Sequence, residues 1–149
     1  MGTSARRLVT IGYEGRSPER LVSDLVELGI DTLVDVRLTP VSRKAGLSKR
    51  GLAASVGSAG IEYLHLPELG NPRDNRDALR RGNEAARARY LKRLREPEGA
   101  AALRRVVELA LAQRVALLCL EREPDTCHRL IVAEEAHRLV PALAVKHAP

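Results

Sequence analysis

The feature that most constrains the fold is an uninterrupted apolar run, Val115–Cys119, followed after a polar stretch by a Cys-His-Arg triplet at residues 127–129. Five apolar residues without polar alternation indicate a β-strand that is buried on both faces, as in the middle of a parallel sheet. Parallel sheets occur almost only in α/β proteins, where helices cover both faces. The run therefore predicts the α/β class and places the triplet just beyond a central strand.

A helix is predicted to begin at this triplet. Pro124 prevents an earlier start, and Asp125 or Thr126 can cap the helix by accepting a hydrogen bond from a free backbone N–H. Cys127 then lies in the first turn, where unpaired N–H groups and the helix dipole favour negative charge. Such a position stabilises a thiolate and suits an anionic ligand.

The remaining segments fit one domain over residues 1–149. Strands are predicted at residues 8–11, 32–36, 61–66, 115–119 and 143–147, and helices at residues 18–28, 48–58, 84–95, 97–113 and 127–139. Residues 73–81 are densely charged and have little apolar periodicity, which predicts a mobile surface loop or lid. The fold class is a single three-layer α/β domain, with a mainly parallel sheet of about five strands and helices on both faces.

The loops after the strands are expected to meet at one edge of the sheet, because ligands of doubly wound sheets bind outside the carboxyl ends of the strands. The candidate substrate-binding residues in these loops are Gly12, Tyr13, Arg37, Ser42 and Arg129. Arg37 and Arg129 can clamp a phosphate or carboxylate, or each can pair with Glu121, Asp35 or Glu68 and brace the loops.

Cys127, His128 and Glu121 are the candidate catalytic residues. A helix N-terminus beside a histidine and an arginine should lower the pKa of a thiol, so Cys127 is the candidate nucleophile or redox thiol. His128 is the candidate general acid or base. An inert buried thiol is the alternative for Cys127, and a core position is predicted for Cys119. A disulfide between these cysteines is disfavoured in the reducing compartment that so few cysteines indicate.

No cofactor and no metal is predicted. Adjacent Cys127 and His128 do not match the usual spacing of zinc ligands. The sequence has no Walker A loop, no G-x-G-x-x-G and no G-x-S-x-G, so those nucleotide and hydrolase classes lack their local signatures. No run approaches the ~20 apolar residues of a membrane span, and no targeting segment is recognised, which predicts a cytoplasmic protein without membrane contact.

The formal net charge of +6 favours anionic partners, such as nucleotides, nucleic acid or phosphorylated metabolites. A solvated arginine-rich surface explains the same charge equally well. Three Tyr with no Phe and no Trp leave few platforms on which unpaired bases could stack. The oligomeric state is left open by the sequence.

Several short motifs occur in a specific order along the chain. They are Thr10-Ile11-Gly12-Tyr13, Asp35-Val36-Arg37 with Pro40 and Ser42, Tyr63 ahead of Leu69-Gly70, Glu121-x-x-Pro124-x-x-Cys127-His128-Arg129, and Val145-x-His147. This series resembles the domain of unknown function 488 family over essentially the whole chain. The resemblance implies a small α/β fold with the Cys-His-Arg motif as its functional centre. A thinner similarity to rhodanese-like domains covers the Asp-Val-Arg motif and Cys119, without the six-residue active-site loop of those domains.

Two hypotheses for the function follow. The first is a thiol-dependent enzyme that acts on a phosphate-bearing small molecule, a nucleotide or a nucleic-acid end at the Cys-His-Arg site. The second is a non-catalytic basic module, in which the same edge of the sheet and residues 73–81 bind nucleic acid or a partner protein.

Overall fold

The computed structural model describes residues 7–123 and 127–149. Five strands form one sheet in which every adjacent pair is parallel. The strands are β1 (Arg7–Gly12), β2 (Thr32–Asp35), β3 (Glu62–His65), β4 (Val115–Cys119) and β5 (Ala144–His147), in the spatial order β3-β2-β4-β1-β5. The predicted α/β class and the five-stranded parallel sheet are confirmed, with β4 at the centre.

Helices cover both faces of the sheet. They are α1 (Pro18–Glu27), α2 (Lys49–Ser58), α3 (Arg76–Arg80), α4 (Glu84–Arg95), α5 (Pro97–Ala112) and α6 (His128–Leu139), with 3-10 turns at Pro67–Leu69 and Arg73–Asn75. Successive side chains of a strand point to opposite faces, so Leu117 packs in the core under α4, α5 and α6 and Leu118 in the core under α1 and α2. No helix among the described residues combines the length and the apolarity needed to cross a bilayer.

Two helix starts are fixed by the side chains that the sequence predicts as caps. The hydroxyl of Ser17 accepts a hydrogen bond from the backbone N–H of Arg20 at 3.0 Å, ahead of Pro18 in the first turn of α1. The amide oxygen of Asn83 accepts from the N–H of Ala86 at 3.0 Å and begins α4. Local chemistry therefore determines where both helices begin.

The helix that follows β4 begins at His128, and Cys127 occupies the capping position without a side-chain capping bond. The predicted roles of Pro124, Asp125 and Thr126 lie outside the described residues. Cys127 has extended backbone geometry, with φ −128° and ψ 143°, and the helical geometry of α6 begins at the next residue.

The prediction of a loop over residues 73–81 is wrong, because a 3-10 turn and α3 occupy most of this segment. Leu79 is buried, and the buried amide of Asn75 donates to the side-chain oxygen of Asn71 and to the carbonyl of Ala86, both at 3.0 Å. The hydrogen bonds of the Asn75 side chain and the burial of Leu79 hold the segment in place. The segment has too few apolar residues at helical spacing for the sequence to indicate a helix.

Glu135 links α4 to α6, and its ionisation should stabilise the fold. Its carboxylate accepts hydrogen bonds from Arg95 and Arg138, each at 3.2 Å from the guanidinium Nε. Burial raises the pKa of Glu135, but the two guanidiniums outweigh this effect and lower it below the ordinary value of 4.5. The stabilisation is therefore present above the unfolded-state pKa and is lost as pH falls through the folded-state pKa.

We expect Glu135→Gln to lower the free energy of unfolding by about 1 kcal/mol at pH 7, the upper range for partly exposed ion pairs. Urea unfolding of both proteins should show this difference shrinking as the pH is taken below 4.5. A difference that stays constant across this pH range would contradict the assignment.

Candidate functional site

The carboxyl ends of the three central strands meet at one edge of the sheet. Gly12 of β1 lies opposite Cys119 of β4, and Asp35 of β2 lies opposite Leu118. Beyond the strands, the backbone N–H of Tyr13 donates to the carbonyl of Cys119 at 3.1 Å. The loops after these strands are therefore held side by side, where doubly wound sheets bind their ligands.

Two thiols and an imidazole form a buried cluster at this edge. The Sγ atoms of Cys119 and Cys127 lie 3.6 Å and 3.7 Å from Nδ1 of His128. The other ring nitrogen, Nε2, is 2.7 Å from the carbonyl oxygen of Val36, which only accepts, so Nε2 carries a proton. Tyr90 packs edge-on against the imidazole, with ring centroids 5.5 Å apart. The ring is thereby fixed with Nδ1 towards both sulfurs.

The three groups change one another's protonation. Burial opposes ionisation of Cys127, but its hydrogen bond with Cys119 and the charge of His128 lower its pKa to about 5. Burial also opposes protonation of His128, but the Cys127 thiolate raises the pKa of the imidazole overall. Burial, and then the hydrogen bond and charge of Cys127, raise the pKa of Cys119 well above its ordinary value. The cluster therefore favours a Cys127 thiolate beside an imidazolium and a neutral Cys119.

A pocket of about 100 Å³ adjoins the cluster. Cys119 and His128 are part of its lining, whereas Cys127 is not. The other polar and charged lining residues are Tyr13, Arg37, Thr39, Asn71, Arg76, Arg80 and Glu121. The pocket thus joins a thiol and an imidazole to three guanidinium groups.

Arg37 is held in the pocket wall by a buried ion pair. Its Nε and one terminal nitrogen donate to the two carboxylate oxygens of Asp35 at 2.9 Å and 2.7 Å. The other terminal nitrogen donates to the carbonyl of Leu47 at 2.7 Å. The guanidinium also lies 5.3 Å from the centre of the Tyr13 ring. The guanidinium of Arg37 is therefore held in one position, and it is one of the charged groups that line the pocket.

Arg129 braces the loop that follows β4. Its side chain is fully buried and donates to the carbonyl oxygens of Glu121 and Arg122, the latter at 3.1 Å. Its Nε has no hydrogen-bond partner within the described residues. Arg129 does not line the pocket that contains Arg37. Arg129 thus braces the loop through backbone carbonyls instead of the predicted carboxylate pairing, and the geometry lends no support to a clamp formed with Arg37.

The other predicted binding residues occupy different places. Tyr13 lines the pocket. Gly12 lies under the loop after β4, where an added Cβ would be 1.8 Å from the carbonyl oxygen of Glu121. Ser42 is not part of the lining; its backbone N–H donates to the hydroxyl of Ser48 at 2.9 Å, and this bond shapes the turn before α2.

Glu121 lies at the pocket and contacts the cluster. The thiol of Cys119 donates to its Oε2 at 3.4 Å, and Arg80 donates to its Oε1 at 2.9 Å. Burial is the largest single influence and raises the pKa of Glu121, but the hydrogen bonds from Arg80, from the backbone and from the two thiols together lower it, so the net shift is downward. Glu121 is therefore a carboxylate that orients the Cys119 thiol.

Sequence reasoning assigned residues 73–81 to binding as a segment but did not single out Arg76, Arg80 or Asn71 as pocket residues. The core position predicted for Cys119 is confirmed, and this residue also lines the pocket. The charge density of residues 73–81 was the available signal for the arginines. The similarity to rhodanese-like domains drew attention to Cys119, but no spacing in the sequence indicated its contact with His128, because that contact depends on how α6 packs against β4. Cys119, Cys127 and His128 together offer three donor atoms, all within 4.8 Å of one another, of the types that bind soft metal ions.

By its fold and site, the protein is a parallel α/β protein with a buried thiol–imidazole cluster next to an arginine-lined pocket. The family model described as "Domain of unknown function DUF488" matches residues 17–136, and the chain belongs to this family. No curated protein and no solved structure matches the chain. The resemblance seen in the order of the motifs is thereby confirmed.

Proposed function

We propose that the protein is a thiol-dependent enzyme that acts on a small anionic molecule, or on the phosphate-bearing end of a larger one. The observation that carries this proposal is the shared lining of one pocket by Cys119, His128 and arginine side chains. An anion held by the arginines would lie next to the thiol, and proximity of this kind lowers the barrier to reaction.

The pocket suits an anion in charge and in size. Arg76 makes no ion pair within the part of the chain that the structure describes, and it is half-buried. Arg37 and Arg80 add their charges, which are partly balanced by Asp35 for Arg37 and by Glu121 and the more distant Asp77 for Arg80. A volume of about 100 Å³ is below the roughly 300–1,000 Å³ of pockets that enclose drug-sized ligands. Only a phosphate-sized group fits inside, so the rest of a nucleotide or nucleic-acid end would remain outside.

The cluster supplies a nucleophile and a proton acceptor. Cys119 lines the pocket, and Cys127 lies behind it as the thiolate partner of His128. As the sulfur of Cys119 bonds to an electrophilic atom of the substrate, its proton passes to the Glu121 carboxylate, to which the thiol already donates. The bond from that atom to the leaving group breaks, and the leaving group takes the proton from Nδ1 of His128. Water then attacks the same atom, and its oxygen replaces the sulfur of Cys119 on the product. The proton of the water passes to Nδ1 of His128, and the thiol of Cys119 regains its own proton from the group that accepted it.

A pair of alkylating reagents of similar size tests this proposal. The labelling is carried out in the presence of a chelator. The anionic reagent iodoacetate should label Cys119 faster than the rate of the neutral reagent iodoacetamide predicts. Inorganic phosphate should protect the thiol. We expect Arg76→Ala to lower the iodoacetate-to-iodoacetamide rate ratio about tenfold, since one nearby guanidinium contributes about 1.4 kcal/mol. Peptide mass spectrometry identifies the labelled cysteine.

Arg104→Ala is the matched control, because Arg104 is an exposed arginine of α5 outside the pocket lining. It removes the same charge from the chain and should leave the ratio unchanged. Equal loss in both variants would show a general effect of net charge. No preference for the anionic reagent, together with no protection by phosphate, would overturn the proposal.

A further inference from the structure

We infer that the buried cluster is a zinc site in which the Sγ atoms of Cys119 and Cys127 and Nδ1 of His128 bind one Zn²⁺ ion. Cys119 and His128 also line the pocket proposed above, whereas Cys127 lies behind it. The inference does not rest on that function, because metal binding requires neither the arginines nor a substrate.

The spacing of the donor atoms matches tetrahedral coordination. Bonds of about 2.3 Å to sulfur and about 2.0 Å to nitrogen, at the tetrahedral angle, separate a sulfur from a nitrogen ligand by about 3.5 Å. The observed separations from Nδ1 are 3.6 Å to Cys119 and 3.7 Å to Cys127. All three donor atoms lie within 4.8 Å of one another. An ion would therefore require only small shifts of these side chains.

The surroundings of His128 also fit a ligand. A metal-binding imidazole usually donates its second N–H to a carbonyl or carboxylate, which fixes the tautomer and the ring orientation. Here Nε2 donates to the carbonyl of Val36 at 2.7 Å, and Nδ1 remains for the ion. Two thiolates and one imidazole form the soft donor set that zinc prefers over magnesium or calcium.

Three protein ligands leave a fourth coordination position. Cys119 and His128 both line the pocket, so water or a small anion can reach an ion at the cluster. Three protein ligands with one exchangeable position is the arrangement of catalytic zinc sites, whereas structural sites use four. The Glu121 carboxylate, with Oε2 3.4 Å from the sulfur of Cys119, offers a further oxygen ligand beside the site.

Metal binding must displace protons. The proton on Cys119 leaves, and so does the one proton that Cys127 and Nδ1 of His128 share, while Nε2 keeps its own. Binding one Zn²⁺ therefore releases two protons and leaves two thiolates and a neutral imidazole on the ion. Both sulfurs are then occupied, so the bound ion and the thiol chemistry proposed above exclude one another.

Titration of the metal-free full chain with Zn²⁺ and with Co²⁺ tests the inference. Calorimetry in buffers of different ionisation enthalpy should give one ion per chain and two protons released. Cobalt should give the intense visible bands of a tetrahedral ion and a thiolate-to-metal charge-transfer band. The wild-type spectrum is decisive without any variant. A stoichiometry below one ion, or a cobalt spectrum without the charge-transfer band, would overturn the inference.

Variants identify the ligands. We expect Cys119→Ser, Cys127→Ser and His128→Gln each to weaken zinc binding by at least about 100-fold, more than the loss of an outer-shell group. His137→Gln is the control, since His137 is on the same helix and bonds to the carbonyl of Leu143. Circular dichroism checks that each variant is folded. Wild-type affinity in folded cysteine variants would place the ion elsewhere and refute the site.

The two proposals fail separately. Anion-directed labelling is measured with a chelator present, and zinc binding is measured without alkylating reagent or phosphate. In a separate experiment without chelator, adding one equivalent of Zn²⁺ before iodoacetate should protect both cysteines. Protection by zinc without an effect of phosphate would support the metal site and count against the anion pocket.

Discussion

Replacing Gly12 with alanine should destabilise the protein by about 3 kcal/mol or more, which is at the upper end for forcing extra atoms into a packed interior. The new Cβ would lie 1.8 Å from the carbonyl oxygen of Glu121 and 2.6 Å from its carbonyl carbon. These are backbone atoms of the loop that follows β4, and the same carbonyl accepts a hydrogen bond from buried Arg129. Because Arg129 holds this carbonyl by a hydrogen bond, the loop has little freedom to move away from a new Cβ at Gly12. Urea unfolding measures the loss.

Gly57→Ala is the control for this prediction. Gly57 is an exposed residue of α2, and a Cβ there would meet no atom within 4 Å. An alanine in a helix should stabilise the protein by about 0.5–1 kcal/mol relative to glycine. If Gly12→Ala proved as harmless as Gly57→Ala, the loop after β4 would not pass over β1 as described.

The secondary structure was largely predictable, because local patterns determine most of it. The apolar run Val115–Cys119 predicted a strand buried on both faces, and all five of its residues are buried in the centre of the sheet. Ser17 and Asn83 predicted helix starts and make the capping bonds expected of them. The helix within residues 73–81 was not predictable, because buried hydrogen bonds of the Asn75 side chain hold it and apolar periodicity does not mark it.

The candidate site was predictable only in part, because tertiary packing decides which side chains meet. The position of Cys127 and His128 after a central strand indicated the correct edge of the sheet. The contact of Cys119 with His128 depends on the packing of α6 against β4. The hydrogen bonds from Arg129 to backbone carbonyls are also tertiary contacts, and no spacing in the sequence indicates them. The motif therefore indicated the edge of the sheet at which these side chains lie, but not which of their atoms are in contact.

Asp35→Asn should cost about 3–5 kcal/mol of stability, the range for removing one partner of a buried ion pair. The Asp35 carboxylate is fully buried and accepts from Arg37 at 2.7 Å and 2.9 Å and from the hydroxyl of Tyr63 at 2.5 Å. The amide has no negative charge, so the buried guanidinium of Arg37 loses its counter-ion. The iodoacetate preference should also fall, because Arg37 loses its fixed position in the pocket wall. Urea unfolding and alkylation rates measure the two effects.

A double variant and an exposed pair separate this effect from a general cost of mutation. Asp35→Leu with Arg37→Met replaces both charges by apolar groups and should recover most of the lost stability, since no charge is then left buried alone. Asp74→Asn removes the partner of Arg89 in a pair whose side chains are 75% and 49% exposed, and it should cost at most about 1 kcal/mol. An Asp35→Asn loss no larger than that of Asp74→Asn would mean that water reaches the Asp35–Arg37 pair. Arg37 would then be a mobile surface arginine instead of a fixed part of the pocket wall.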